Sequence, residues 1–224
     1  MAANPSDSGL HNPAKEAVAR LIARARAAQA GFERWPQARV DEAALACGWA
    51  IMKPENNRVL AEMAVRDSGL GNVEDKIAKN HRKTLGLLRD IAGVKTVGVI
   101  ADYPEKGLTE IARPVGVVAA ITPSTNPGAT PANTIINAVK CGNAIILAPS
   151  PKGYSTAQKL VEFMHWELDK VGAPRDLVQL LPAPVTKASM FELMRQADLV
   201  AATGSQANIR AAYSSGTPAL GVGM

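Results

Sequence analysis

The chain has 224 residues, 47% of them hydrophobic and 20% charged, enough for one large domain or one and a half ordinary ones with a proper core. Its formal net charge of +5 is mild, and no arginine-aromatic pattern points to nucleic acid, so no nucleic-acid partner is expected. Cys47 and Cys141 stand far apart with no Cys-x-x-Cys or Cys/His cluster, which excludes a disulfide framework and argues for no metal.

The opening MAANPSDSGLHNPAKEA has no apolar signal core, and no stretch reaches transmembrane length. The cytoplasm is therefore the expected compartment, with no membrane partner. Residues 1–13 read as a flexible arm. Apolar residues recur at helical spacing at Val18, Leu21, Ile22, Ala25 and Ala28, predicting a helix over 14–30. A second helix carries Val40, Ala44, Cys47 and Ile51, between Pro36 and Pro54. A third covers 55–65 and ends at the turn-rich DSGLGN. A fourth covers 73–89, with Val73, Ile77, Leu85 and Leu88 expected inward. Its cations Lys76, Lys79, His81, Arg82 and Lys83 read as a solvated face.

The period then changes to two. KTVGVIADYPEKGLTEIARPVGVV predicts a strand, a turn holding Pro104 and Gly107, and a return strand. After Pro114 strands and helices alternate: strands at 115–121, 143–148, 177–181, 199–202 and 219–222, helices at 131–140, 155–171, 187–195 and 206–213. Strands that are apolar throughout are expected to be parallel and covered on both faces. The expected fold class is thus α/β, with a helical N-terminal segment and a β-hairpin leading into a Rossmann-like parallel sheet.

Ligands of such sheets bind beyond the carboxyl ends of the strands. The turns there hold hydroxyls, Asn126 and Lys152, but no carboxylate pair, histidine or cysteine, so these turns alone suit binding better than proton transfer. Thr203-Gly204-Ser205 opens a helix and is equally an ordinary N-cap. Asn126, before Pro127, is equally a turn residue. Cys141 reads as buried filler at a helix end, with no neighbouring base to activate it.

Taken together, PVGVVAAITPSTNP, GNAIILAPSP, ADLVAATGSQANIRAAYSSG and PALGVG, in that order, resemble the N-terminal half of the aldehyde dehydrogenase superfamily. The likeness is stronger to its CoA-acylating branch and covers about residues 15–224. The stretches DSGLGNVEDKIAKN and LLPAPVTKASMFELMRQADLV look most like its sulfoacetaldehyde members, with acetaldehyde members next. The resemblance implies a five-stranded Rossmann variant without the glycine fingerprint. It implies that the Asn126 amide helps hold the oxyanion of the reacting adduct. It also implies that Thr122, Pro123 and Ser124 line the nicotinamide side, that Pro149, Ser150 and Pro151 lie under the adenosine ribose, and that Thr203, Gly204 and Ser205 lie near the pyrophosphate.

Two departures shape the expectation. Non-acylating members carry a lysine where Ala148 stands and a glutamate just before the Leu-Gly that is Leu220-Gly221 here. Without that base, transfer of the acyl group to CoA is favoured over hydrolysis. The expected cofactor is NAD or NADP, with CoA as co-substrate, a small-molecule aldehyde as substrate, and a homo-oligomer in the full-length enzyme. The expected division is an arm over 1–13, a helical segment plus hairpin over 14–110 and a Rossmann-like domain over 111–224. The catalytic domain, with its cysteine, is expected beyond 224, which would leave this chain inactive alone. The alternative is a non-catalytic nucleotide- or CoA-binding module derived from such an enzyme.

Overall fold

The computed structural model of the chain describes residues 12–223; all of the expected N-terminal arm except Asn12 and Pro13 lies outside them. Four helices come first: α1 (Pro13–Phe32), α2 (Gln37–Met52), α3 (Pro54–Ser68) and α4 (Val73–Asp90). Their ends follow local chemistry. α1 and α3 begin on a proline, whose fixed φ suits a first turn and whose missing N–H has no partner to lose there. Asn12 and Asn72 cap α1 and α4 by accepting the amides of Lys15 and Asp75. α3 stops at Gly69, at φ 66°, a left-handed position that glycine takes without strain.

A hairpin follows, β1 (Gly98–Tyr103) and β2 (Leu108–Ala112), antiparallel and paired only with each other. The main sheet comprises β3 (Val117–Thr122), β4 (Ala144–Pro149), β5 (Val178–Leu180), β6 (Leu199–Gly204) and β7 (Ala219–Gly223), interleaved with α5 (Ala129–Lys140), α6 (Tyr154–Lys170), α7 (Lys187–Gln196) and α8 (Gln206–Tyr213). The strand order is β5-β4-β3-β6-β7 and every pairing is parallel. Each residue of β3 and β4 is buried, as unbroken apolar runs require. β3 begins two residues later than its apolar run. Gly116, at φ 122°, bends the chain there, and a Cβ on it would collide with the Asp198 carboxylate. That carboxylate accepts the Val117 amide at 2.8 Å, while Asn143 Oδ1 accepts the Gly116 amide at 3.0 Å.

α5 and α6 cover one face of the sheet and α1 and α7 the other, with α8 against β6 and β7. α2 lies on α5 and α6 and contributes Ala43, Ala44, Cys47 and Ala50 to the core. On another side it meets α4, where a Cβ on Gly48 would come within 2.7 Å of Leu88 Cδ1. A buried ammonium, Lys140 Nζ, reaches Asp41 Oδ1 at 2.5 Å and ties α5 to α2. Among the described residues no helix is long and apolar enough to cross a membrane.

α4 departs from its apolar period. Val73, Ile77, Leu85 and Leu88 are only half-buried, and the buried residues are Lys76, Asn80 and Thr84, spaced by four. The surface beneath is polar, and that turns the helix. Lys76 Nζ donates to the Thr125 carbonyl at 3.1 Å, Asn80 Nδ2 to Asn57 Oδ1 at 2.9 Å, and Asn57 Nδ2 to the Ile77 carbonyl at 3.0 Å. Lys76 is therefore not part of a solvated face. Burial, aided by the charge of Lys79, lowers its pKa below the usual 10.5. In the window between that lowered value and 10.5 the folded chain binds fewer protons than the unfolded one, so this group makes stability rise with pH. Urea midpoints followed from neutral pH upward should therefore climb more in the native chain than in Lys76→Met; parallel profiles would show that the ammonium is not desolvated.

Candidate functional site

The parallel pairing places the carboxyl ends of all five strands along one edge. Strand order runs outward from β3 to β4 and β5, then returns to β6 on the other side of β3, so the chain reverses direction between β3 and β6. The crevice at such a reversal is where open α/β sheets bind ligands. A hollow of about 640 Å³ lies there. It is lined by Thr122, Pro123 and Ser124 after β3, Ser150 after β4, and Thr203, Gly204 and Ser205 after β6. A second hollow of about 250 Å³ adjoins it and adds Pro149 and Pro151, with Thr122 and Ser150 in both. All nine residues assigned to cofactor binding from sequence thus line one continuous space.

Thr122 lines both hollows; it is 3% exposed and its Oγ1 is buried with no hydrogen-bond partner among the described residues. Ser205 does act as an N-cap, its Oγ accepting the Asn208 amide at 3.4 Å, and it lines the hollow as well. Sequence reasoning assigned no role to Val185 and Met190, which wall the smaller hollow, or to Asn208, which lines both. An apolar wall carries no motif by which sequence could have marked it. No carboxylate, histidine or cysteine lines either hollow. Among the described residues no cluster of His, Cys, Asp or Glu could hold a metal ion.

Asn126 lies in the same loop but opens elsewhere. It lines a cleft of about 400 Å³ between α4 and α5, with Lys79 and Lys83 on one wall and Thr130, Asn133 and Asn137 on the other. Thr130 also lines the larger hollow, so the two spaces adjoin. The loop is held on both sides of Asn126. Lys76 binds the Thr125 carbonyl before it. After it, Pro127 sits where a Cβ on Gly153 would approach to 2.7 Å, so only glycine lets the loop after β4 come so close. The Asn126 amide makes no hydrogen bond within the described residues. It is a donor on a fixed backbone with its hydrogens uncommitted.

The two thiols differ from one another. Cys47 is fully buried in α2, and burial pushes its pKa up to about 12. Cys141 is exposed rather than buried as expected, because it caps the C-terminus of α5 where Gly142, at φ 74°, turns the chain toward β4. Local burial still raises its pKa against the pull of Lys140. Neither cysteine lines the hollows or the cleft.

Residues 8–220 match the aldehyde dehydrogenase family, and the chain belongs to it. It is 68% identical over 210 residues to a sulfoacetaldehyde dehydrogenase (acylating) of Cupriavidus necator, covering 94% of this chain and 43% of that protein. To the acylating sulfoacetaldehyde dehydrogenase of Bilophila wadsworthia it is 47% identical over 199 residues, covering 89% of this chain and 43% of that one. The crystal structure of an acetylating aldehyde dehydrogenase from Geobacillus thermoglucosidasius superposes with a TM-score of 0.88 at 38% identity, over 94% of this chain and 46% of that one. The chain spans less than half the length of these relatives.

The two cysteines give a direct check on this assignment of roles. A maleimide should label one thiol in the native chain, Cys141, more slowly than free cysteine because its thiolate is disfavoured. Cys47 should react only after unfolding. Fast labelling of Cys47 in the native chain, followed by mass spectrometry, would show an accessible thiol in the core and reopen its role.

Proposed function

We propose that this chain is the cofactor-binding half of a CoA-acylating aldehyde dehydrogenase acting on sulfoacetaldehyde, converting aldehyde, CoA and NAD(P)⁺ to acyl-CoA, NAD(P)H and a proton. The observation that carries the reading is the continuous hollow at the β3/β6 reversal, walled by hydroxyls and backbone and free of carboxylates, beside the fixed amide of Asn126. Its volume falls within the range of about 300–1,000 Å³ of small-molecule sites. The relatives named above carry the acylating activity in their names, and the substrate is taken from two of them.

The residues fit a nicotinamide dinucleotide. Thr122, Pro123 and Ser124 line the hollow beyond the end of β3. Thr203, Gly204 and Ser205 present a glycine for close approach and a helix start. Ser150 and the flanking prolines form a turn whose shape is set by Pro149 and Pro151. When bound there, the nicotinamide supplies the hydride acceptor for aldehyde oxidation. Asn126 would donate from its Nδ2 to the oxygen of the aldehyde carbonyl as negative charge develops on it, and its fixed loop keeps that donor in place without reorganisation. No carboxylate lines the hollow to activate water there. An acyl group formed there is therefore spared for a thiol. The nucleophilic cysteine and the rest of the aldehyde pocket would come from sequence outside this chain.

The test uses a chimera in which this chain replaces the 210 matched residues of the Cupriavidus necator protein. It should reduce NAD⁺ or NADP⁺ only when sulfoacetaldehyde and CoA are both present, and the 224-residue chain should bind one of the two dinucleotides in a calorimetric titration. Free carboxylate formed without CoA would overturn the acylating reading. In the same chimera Asn126→Ala should lower kcat by roughly 10²–10³-fold, the loss typical of one oxyanion donor, with dinucleotide affinity unmoved. A near-normal kcat would leave Asn126 as a turn residue only.

A further inference from the structure

We propose that Lys79 and Lys83 form the subsite that binds the anionic tail of the aldehyde, a specificity device built on α4; this rests on the acylating aldehyde dehydrogenase reading above. The starting observation is electrostatic. Lys76, Lys79 and Lys83 follow at spacings of three and four, which crowds like charges on one side of a helix and costs stability. Lys76 is held by the Thr125 carbonyl. Lys79 and Lys83 have no carboxylate and no acceptor among the described residues; the same holds for Arg82 beside them, but only the two lysines line the cleft. Two uncompensated ammonium groups therefore share one side of a cleft.

The cleft itself selects what could compensate them. The facing wall is α5, where Asn133 and Asn137 stand four apart and on one face, with Thr130 beside them. These are hydroxyl and amide groups, and no carboxylate lines the cleft to repel an anion. Asn126 lines the same space. A substrate whose carbonyl oxygen meets the Asn126 amide thus places a tail one or two carbons away within that cleft, toward the lysines. A sulfonate remains ionised at any physiological pH and offers three acceptor oxygens, which suits two ammonium groups and an amide wall. The phosphates of CoA share that chemistry. The position beside Asn126, outside the dinucleotide hollow, favours the aldehyde as its source.

Kinetics of the chimera separate these sources. For Lys79→Gln and Lys83→Gln, the ratio of kcat/KM for sulfoacetaldehyde over that for propionaldehyde, a neutral aldehyde, should fall roughly tenfold each. The change should appear mainly in the KM for sulfoacetaldehyde, shrink as salt is added, and be largely restored by Lys79→Arg. An unchanged ratio in the double variant overturns the subsite. A raised KM for CoA with an unchanged aldehyde ratio overturns it too and assigns the lysines to phosphate. A chimera inactive on both aldehydes fails the reading above rather than this one. The chain itself then decides: isethionate, which carries the same sulfonate, should shift the side-chain amide resonances of Asn126, Asn133 and Asn137, and the double variant should abolish the shifts. Shifts scattered over the surface, or none, overturn the subsite.

Discussion

The double pairing of β3 is the constraint from which the rest of the site follows. All six of its side chains are buried, so its backbone N–H and C=O groups have no water to turn to and must be satisfied sideways. β4 does this on one side and β6 on the other, both in parallel. Parallel pairing forces the loops after β3, β4 and β6 to open along one edge. The return of the chain across β3 leaves the gap there unroofed. The hollow is thus a by-product of satisfying a buried strand, and the residues that line it are those that happen to follow its neighbours.

The loop after β3 is the one place where this arrangement becomes chemically specific. It carries a threonine that lines the hollow and the asparagine that opens into the next cleft. A segment rich in hydroxyls between two prolines would otherwise have several ways to lie. Lys76 removes that freedom by burying an ammonium against a carbonyl, at the expense of its own charged form. Gly153 contributes by being small enough for Pro127 to sit against it. Rigid loops of this kind make a donor useful, since an amide that must first be oriented gives up part of its advantage.

Much of this was legible in the chain, and the failures share a cause. Apolar runs located all five strands, but the expected cover on both faces holds in full only for β3 and β4; β7 is an edge strand with Leu220 and Val222 exposed in this chain. The rule that ligands sit beyond strand ends picked out the turns of the hollow. The face of α4 was misjudged because periodicity reports where a helix meets an apolar neighbour. Here the neighbour is Asn57 and a polar loop, so Lys76, Asn80 and Thr84 turn inward. Cys141 was misplaced by one residue's worth of geometry, since the last residue of a buried helix and the first outside it look alike in sequence. The lysine-lined cleft joins Lys79 to Asn126 across a span of sequence that no local pattern crosses.

The alanine-rich seam between α2, α5 and α6 has a further consequence. Helices that meet through Ala43, Ala44 and Ala50 sit close because there is little between them. Truncating such an alanine to glycine loosens the helix by about 0.5–1 kcal/mol, whereas enlarging it must push two helices apart, and overfilled interiors typically lose about 1–3 kcal/mol. The seam resists change in both directions, and enlargement more. Because α5 bears on α2 at one side and frames the Asn126 cleft at the other, a methyl group added deep in the seam would be felt as a change of shape where the aldehyde is expected to sit.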